Sequence, residues 1–283
     1  MSSRIAMGFL LGTLLAVHSA NGATTVAFCG QRIREDAEAV ICRRQPVRSL
    51  RPLAKLRQLK WLELKQLHFA DDELVHLRGL RQLKRLYLID DHLDGRGLVH
   101  LAGLTNLRTL DLARNPLTDR RLPALLGLRA LGKLKKLVLA RTSITDRGVA
   151  QLLPRLAAIR QLDLDFTSIG DAALIGVARL KRLSLLGLVG TRITERTLRR
   201  LETMRQLTFV AVAGTCYDGD ESVKRLRMKL GKTASVTVNH PSFPPSHASV
   251  VERGRTLRRV RVKPRHCRSD PGSTKRESKS PKR

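Results

Sequence analysis

The sequence predicts an α/β solenoid in which short parallel strands form a curved concave sheet and short helices lie outside, followed by a disordered basic C-terminal tail. Three observations carry this. One apolar position returns seven times, at Leu62, Leu86, Leu110, Leu137, Leu162, Leu186 and Val210, in steps of 24, 24, 27, 25, 24 and 24 residues. Most copies sit in the frame L-x-x-L-x-L, as in Leu59-Leu62-Leu64, Leu83-Leu86-Leu88 and Leu134-Leu137-Leu139. Aromatic residues make up only 3% of the chain, so leucine must build the core. A single strand–helix unit cannot bury its apolar face alone and has to stack on its neighbours.

Each strand motif is followed at a fixed offset by a polar residue: Asp91, Asn115, Thr142, Thr167, Thr191 and Thr215. Leu67 breaks the column in the first copy. The pattern resembles the leucine-rich repeat family, and the segments Thr145-Asp146-Arg147-Gly148-Val149 and Thr194-Glu195-Arg196-Thr197-Leu198 resemble its ribonuclease-inhibitor-like subtype. The resemblance covers about residues 50–240. It implies that the polar column points inward and satisfies backbone groups in the turns.

The pairs Thr118-Asp119, Thr145-Asp146, Gly170-Asp171 and Thr194-Glu195 open helical segments. Thr is a favoured N-cap, and an acid in the first turn complements the helix dipole, so these acids are expected to be structural. The apolar spacing of Leu74, Leu77, Leu80 and of Leu98, Leu101, Leu104 places the helices in the outer layer.

Residues 1–23 carry Arg4, an apolar run from Ile5 to Val17 and small residues at Ala20-Asn21-Gly22-Ala23, the pattern of a signal peptide. The run is shorter than the roughly 20 residues of a membrane helix. The chain is therefore expected to be secreted or otherwise extracytoplasmic, in the periplasm or at a cell surface. Residues 24–49 then form an N-terminal cap and 50–240 the repeat domain. Cys29, Cys42, Cys216 and Cys267 all lie beyond the leader, and sequence alone allows three pairings. The exposed core at a solenoid end needs a cap, which favours Cys29–Cys42, and the family resemblance implies a disulfide there. A helix around Ser222–Leu230 and a strand near Val236–Val238 are expected to close the other end.

Residues 241–283 begin with Pro241, Pro244 and Pro245 and become polybasic. Arg253 to Arg283 hold thirteen Lys or Arg against Asp270 and Glu277, a net +11 of the formal +30, so the remainder is basic as well. Arg253, Arg255, Arg258, Arg259, Arg261, Lys263, Arg265 and Arg268 are candidate polyanion contacts, with an anionic polymer, a membrane surface or nucleic acid as partner. Leu257, Val260 and Val262 alternate weakly in the same segment.

Period-two alternation assigns the candidate protein-binding face. It comprises Trp61, Glu63, Arg85, Tyr87, Asp111, Lys136, Asp163, Asp165, Leu185, Val189 and Phe209, with apolar rows at its C-terminal end that are either open to a protein partner or covered by the C-terminal residues folding back. His68 and His92, like His76 and His100, occupy equivalent places one repeat apart, but no carboxylate or thiolate completes a metal site. Asp111, Asp163 and Asp165 share a face that offers little desolvation, and no G-x-S-x-G, H-E-x-x-H or phosphate-loop motif occurs. The expectation is a non-enzymatic protein-binding module without cofactor or metal. Two alternatives stay open: an intracellular substrate-recognition adaptor of the F-box type, although residues 24–50 are too short for an F-box, and a non-specific polyanion binder.

Overall fold

The structure, a computed structural model, describes residues 24–216, 220–231 and 235–237. The expected leader, the polybasic residues Arg253–Arg268 and Cys267 lie outside the described residues, as does the alternation at Leu257–Val262.

Nine parallel strands form one sheet in the order of the chain: β3 (Ala39–Arg43), β4 (Trp61–Lys65), β5 (Arg85–Ile89), β6 (Thr109–Asp111), β7 (Lys136–Val138), β8 (Gln161–Asp163), β9 (Leu185–Gly187), β10 (Phe209–Ala211) and β11 (Ser235–Thr237). The recurring apolar position is in register throughout, Leu62 beside Leu86, Leu110, Leu137, Leu162, Leu186 and Val210. Val40 and Val236 extend the row at either end. All nine are buried, each contributing about 2 kcal/mol by removal from water. The 27-residue step leaves the register intact, because its connection holds three short helical segments outside the sheet, Asp119–Arg121, α1 (Leu122–Leu126) and Leu131–Lys133.

The N-terminal segment does more than cap. β1 (Thr25–Phe28) and β2 (Gln31–Arg34) form an antiparallel hairpin, and a disulfide joins Cys29 in its turn to Cys42 on β3. Val40 and Cys42 stand opposite Leu62 and Leu64, so the sheet begins ahead of residue 50, in a strand with no leucine signature. The expected closing elements are α4 (Asp220–Leu230) and β11. Cys216 is also disulfide-bonded.

The outer layer is built from 3₁₀ segments and the short helices α2 (Asp146–Leu152) and α3 (Glu195–Leu201). Their starts correct the capping expectation. Thr118 and Thr145 have N-cap backbone geometry, yet neither side chain caps its own helix; Thr194 does, accepting from the Arg196 amide at 3.2 Å. The acids instead reach across to the next repeat. Asp71 accepts the amides of Asp94, Gly95 and Gly97 at 3.0, 2.8 and 3.2 Å. Asp119 accepts the Thr145 amide at 2.8 Å, and Asp171 accepts the Thr194 amide at 2.9 Å and the Thr197 hydroxyl at 2.6 Å. Orphan amides at these three helix starts are thus satisfied by the preceding repeat. The packing is close at Gly97, where a Cβ would stand 1.9 Å from the Asp71 carbonyl oxygen.

The polar column is buried and bonded to backbone. Thr142, Thr167, Thr191 and Thr215 each donate to the carbonyl three residues earlier, at 2.6–2.9 Å. Asp91 accepts the Leu67 amide at 2.8 Å, which supplies the turn where Leu67 interrupts the column.

Candidate functional site

The alternate side chains of the strands form three columns across the face opposite the leucines. Trp61, Arg85, Thr109, Lys136, Gln161, Leu185 and Phe209 make the first, and Glu63, Tyr87, Asp111, Val138, Asp163, Gly187 and Ala211 the second. Asp165, Val189 and Ala213 continue the third, just past the strand ends.

Exposure separates these columns. In the first, Arg85 is exposed, and Trp61, Lys136, Leu185 and Phe209 are half-buried. The second is buried throughout, with Glu63 at 1%, Tyr87 at 4%, Asp111 at 5% and Asp163 at 6% exposure, and Asp165 and Val189 in the third are buried as well. Six residues expected to meet a partner directly are therefore covered. Adjacent strands stand only about 4.8 Å apart, so a middle-column side chain has a neighbour on each side and a column flanking it.

The apolar C-terminal rows are covered in part, and from within the repeats, with Leu185 and Phe209 left half-buried. Val189 is fully buried with Ala211 and Ala213 in a small cluster against which Phe166 and Phe209 pack. Phe166 was missed because it occupies a turn, where strand alternation no longer applies. It has φ 56° and Arg141, one repeat earlier, has φ 57°; the equivalent later positions are Gly190 and Gly214, at 64° and 65°. Those glycines were the available signal for a left-handed turn column. The Arg141 guanidinium lies 4.0 Å from the Phe166 ring centre. At the other end, Arg85 stacks on Trp61 at 4.4 Å, and the Trp61 and Tyr87 ring centres are 6.2 Å apart.

The carboxylates between these aromatic groups are tied to the sheet. Asp111 accepts the Ala113 amide at 3.0 Å, Asp163 the Asp165 amide at 3.0 Å and Asp165 the Val189 amide at 2.8 Å. Burial pushes Asp111 and Asp163 up to about 6, the backbone bonds and Lys136 opposing it. Asp165 is pushed up to about 8 by burial and by neighbouring Asp163. Its Oδ2 is buried without a hydrogen-bond partner. Burial lowers Lys136, against the opposing pull of Asp111 and Asp163. Glu63 is ion-paired with Arg43 at 2.6 Å.

His68 and His92 stack at 4.4 Å between ring centres. His76 lies 3.6 Å from Glu73. Among the described residues no group of three or more His, Cys, Asp or Glu is placed to hold a metal ion, and no helix is long and apolar enough to cross a membrane.

A leucine-rich repeat family model matches residues 103–120. No curated protein matches the sequence. Among solved structures, the chain is similar to an internalin C2 from Listeria monocytogenes, with TM-score 0.58 and 22% identity over 74% of this chain and 86% of that one. A second internalin of the same organism gives TM-score 0.50 and 20% identity over 74% and 69%. Repeat pattern, sheet register and family match agree, and the chain has the fold of a leucine-rich repeat solenoid.

Proposed function

We propose that this protein is a non-enzymatic, extracytoplasmic binding module whose partner is another protein, held on the sheet face opposite the leucines. The observation that carries the reading is the first column. It keeps Arg85 exposed on a half-buried Trp61 at one end and half-buried Leu185 and Phe209 at the other. Aromatic and Arg side chains on a rigid flat surface are the groups that anchor protein interfaces. The second and third columns flank these anchors on the same face of the sheet. Their acids accept backbone amides of the sheet, which makes them structural groups rather than acid–base catalysts.

Export is supported by the bonded state of Cys29, Cys42 and Cys216, since disulfides persist in oxidising compartments. The basic residues Arg253–Arg268 would add attraction to anionic partners.

Two measurements test this. Intact mass of protein from its own cells, with and without reduction, is expected to show loss of the leader and oxidised cysteines; an uncleaved, reduced chain would overturn the export reading. Affinity capture is then run with the wild-type bait, a W61A/R85A/F209A bait and a control bait substituted at the exposed outer residues Val99 and Ile175. A partner lost only from the first variant supports binding through this face, and one retained by it rules that face out.

A further inference from the structure

The edge of the solenoid where the strands begin carries a charge pattern that the fold does not require. The segments leading into β4 to β9, residues 53–60, 77–84, 101–108, 127–135, 152–160 and 176–184, contain fifteen Lys or Arg and no Asp or Glu. Acids gather on the opposite edge, where Asp71, Asp119 and Asp171 hold helix starts.

Within these segments one position forms a ladder. Lys60, Lys84, Arg108, Lys135 and Arg160 each immediately precede a strand, and their backbones are hydrogen-bonded rung to rung. Lys84 N donates to Lys60 O at 2.9 Å, Arg108 N to Lys84 O, Lys135 N to Arg108 O and Arg160 N to Lys135 O, each at 2.8 Å. Lys60 is ion-paired with Glu38. Among the described residues the other four enter no ion pair. Lys84, Lys135 and Arg160 are exposed and Arg108 is half-buried. A helix dipole accounts for cations in the last helical turn. It does not account for these, which lie outside the helical turns, two residues past the end for Lys135 and five or more for the others.

We infer that this edge is a binding site for a linear acidic polysaccharide, one bearing a carboxylate or sulfate on successive sugars, laid single file along the rungs. The sheet sets the cations about 4.8 Å apart, a spacing comparable to one sugar ring. None of the six segments contains an aromatic residue, so the stacking platforms of single-strand nucleic-acid binders are missing from this edge. The site is separate from the sheet face proposed to bind protein, and it consists of folded residues rather than the polybasic segment.

The test uses the full chain and measures affinity for a size-defined heparin oligosaccharide, for poly(dT) of similar length and for phosphatidylcholine–phosphatidylserine vesicles, each across a salt series. The ladder variant K84Q/R108Q/K135Q/R160Q is compared with R114Q/R120Q/R147Q/R192Q, an equal charge change spread over exposed residues of the opposite edge. The ladder variant is expected to lose at least tenfold in heparin affinity, with the slope of log K against log salt falling by about three; the control should stay within threefold. Equal losses in the two variants would reduce the effect to net charge. Unchanged heparin affinity in the ladder variant would place binding elsewhere in the chain. A larger loss on poly(dT), or binding confined to vesicles, would replace the polysaccharide with nucleic acid or membrane. If the fourfold variant does not fold, the single variants K84Q and K135Q decide the matter, each expected to lose two- to threefold.

Discussion

Removing the Asn115 side chain is expected to damage the solenoid far more than removing any threonine of the same column. Asn115 is buried, and its Oδ1 accepts the amides of Asp91 and Leu93, both at 3.1 Å. Its Nδ2 donates to the carbonyls of Leu88 at 2.7 Å and Leu112 at 3.0 Å. One side chain therefore closes two turns in adjacent repeats. N115A strands four buried backbone groups, at a cost of about 1–1.5 kcal/mol each, or about 4–6 kcal/mol together. Thr167 makes one such bond, to Leu164 O at 2.7 Å, so T167A should cost about 1 kcal/mol. N115T restores only the bond that threonine makes elsewhere in the column and should recover about 1 kcal/mol. Urea unfolding followed by circular dichroism gives the differences. Amide exchange should also accelerate at Asp91 and Leu93 in N115A, and not in T167A. If N115A and T167A differ by less than about 1 kcal/mol, water or local rearrangement satisfies the stranded groups and the bridging argument is wrong.

G97A should destabilise by about 3 kcal/mol, because its Cβ would collide with backbone at 1.9 Å, whereas G132A, with 3.5 Å to the Arg155 carbonyl, should be near neutral in the same assay. Asp111, Asp163 and Asp165 hold their protons in the folded protein to about 6, 6 and 8, while the unfolded chain releases them near 4. Across that window the unfolded state binds fewer protons, so stability should fall as pH rises from about 4 to 8 and level off above it. D165N should flatten the upper part of the decline; a wild-type profile that instead rises from pH 4 to 8 would contradict the burial of these acids. The Cys29–Cys42 bond closes a span of 13 residues, and C29S/C42S should cost about 3 kcal/mol. The loss should show first as protease sensitivity within 24–43 rather than in the central repeats.

Repeat phase, strand register and leucine core were legible in the sequence, because stacking identical units leaves one way to bury a leucine that returns every 24 or so residues. The polar column was legible for a related reason: a buried turn must satisfy its backbone, and Asn115 and the threonines are what remain at that offset. β3 was not, since at the sheet edge the template strand β4 supplies the register and Val40 with Cys42 is apolar enough to follow it. The proposed binding face was half legible. Alternation tells which side of the sheet Glu63, Tyr87 and Asp163 take, but their burial depends on what the neighbouring strands place beside them. Asp119 and Asp171 looked like first-turn acids of their own helices, and only stacking reveals that they serve the next one. Local chemistry along the chain determined the repeating unit; the few ångströms between units, absent from any single repeat, decided which side chains meet water and which meet each other.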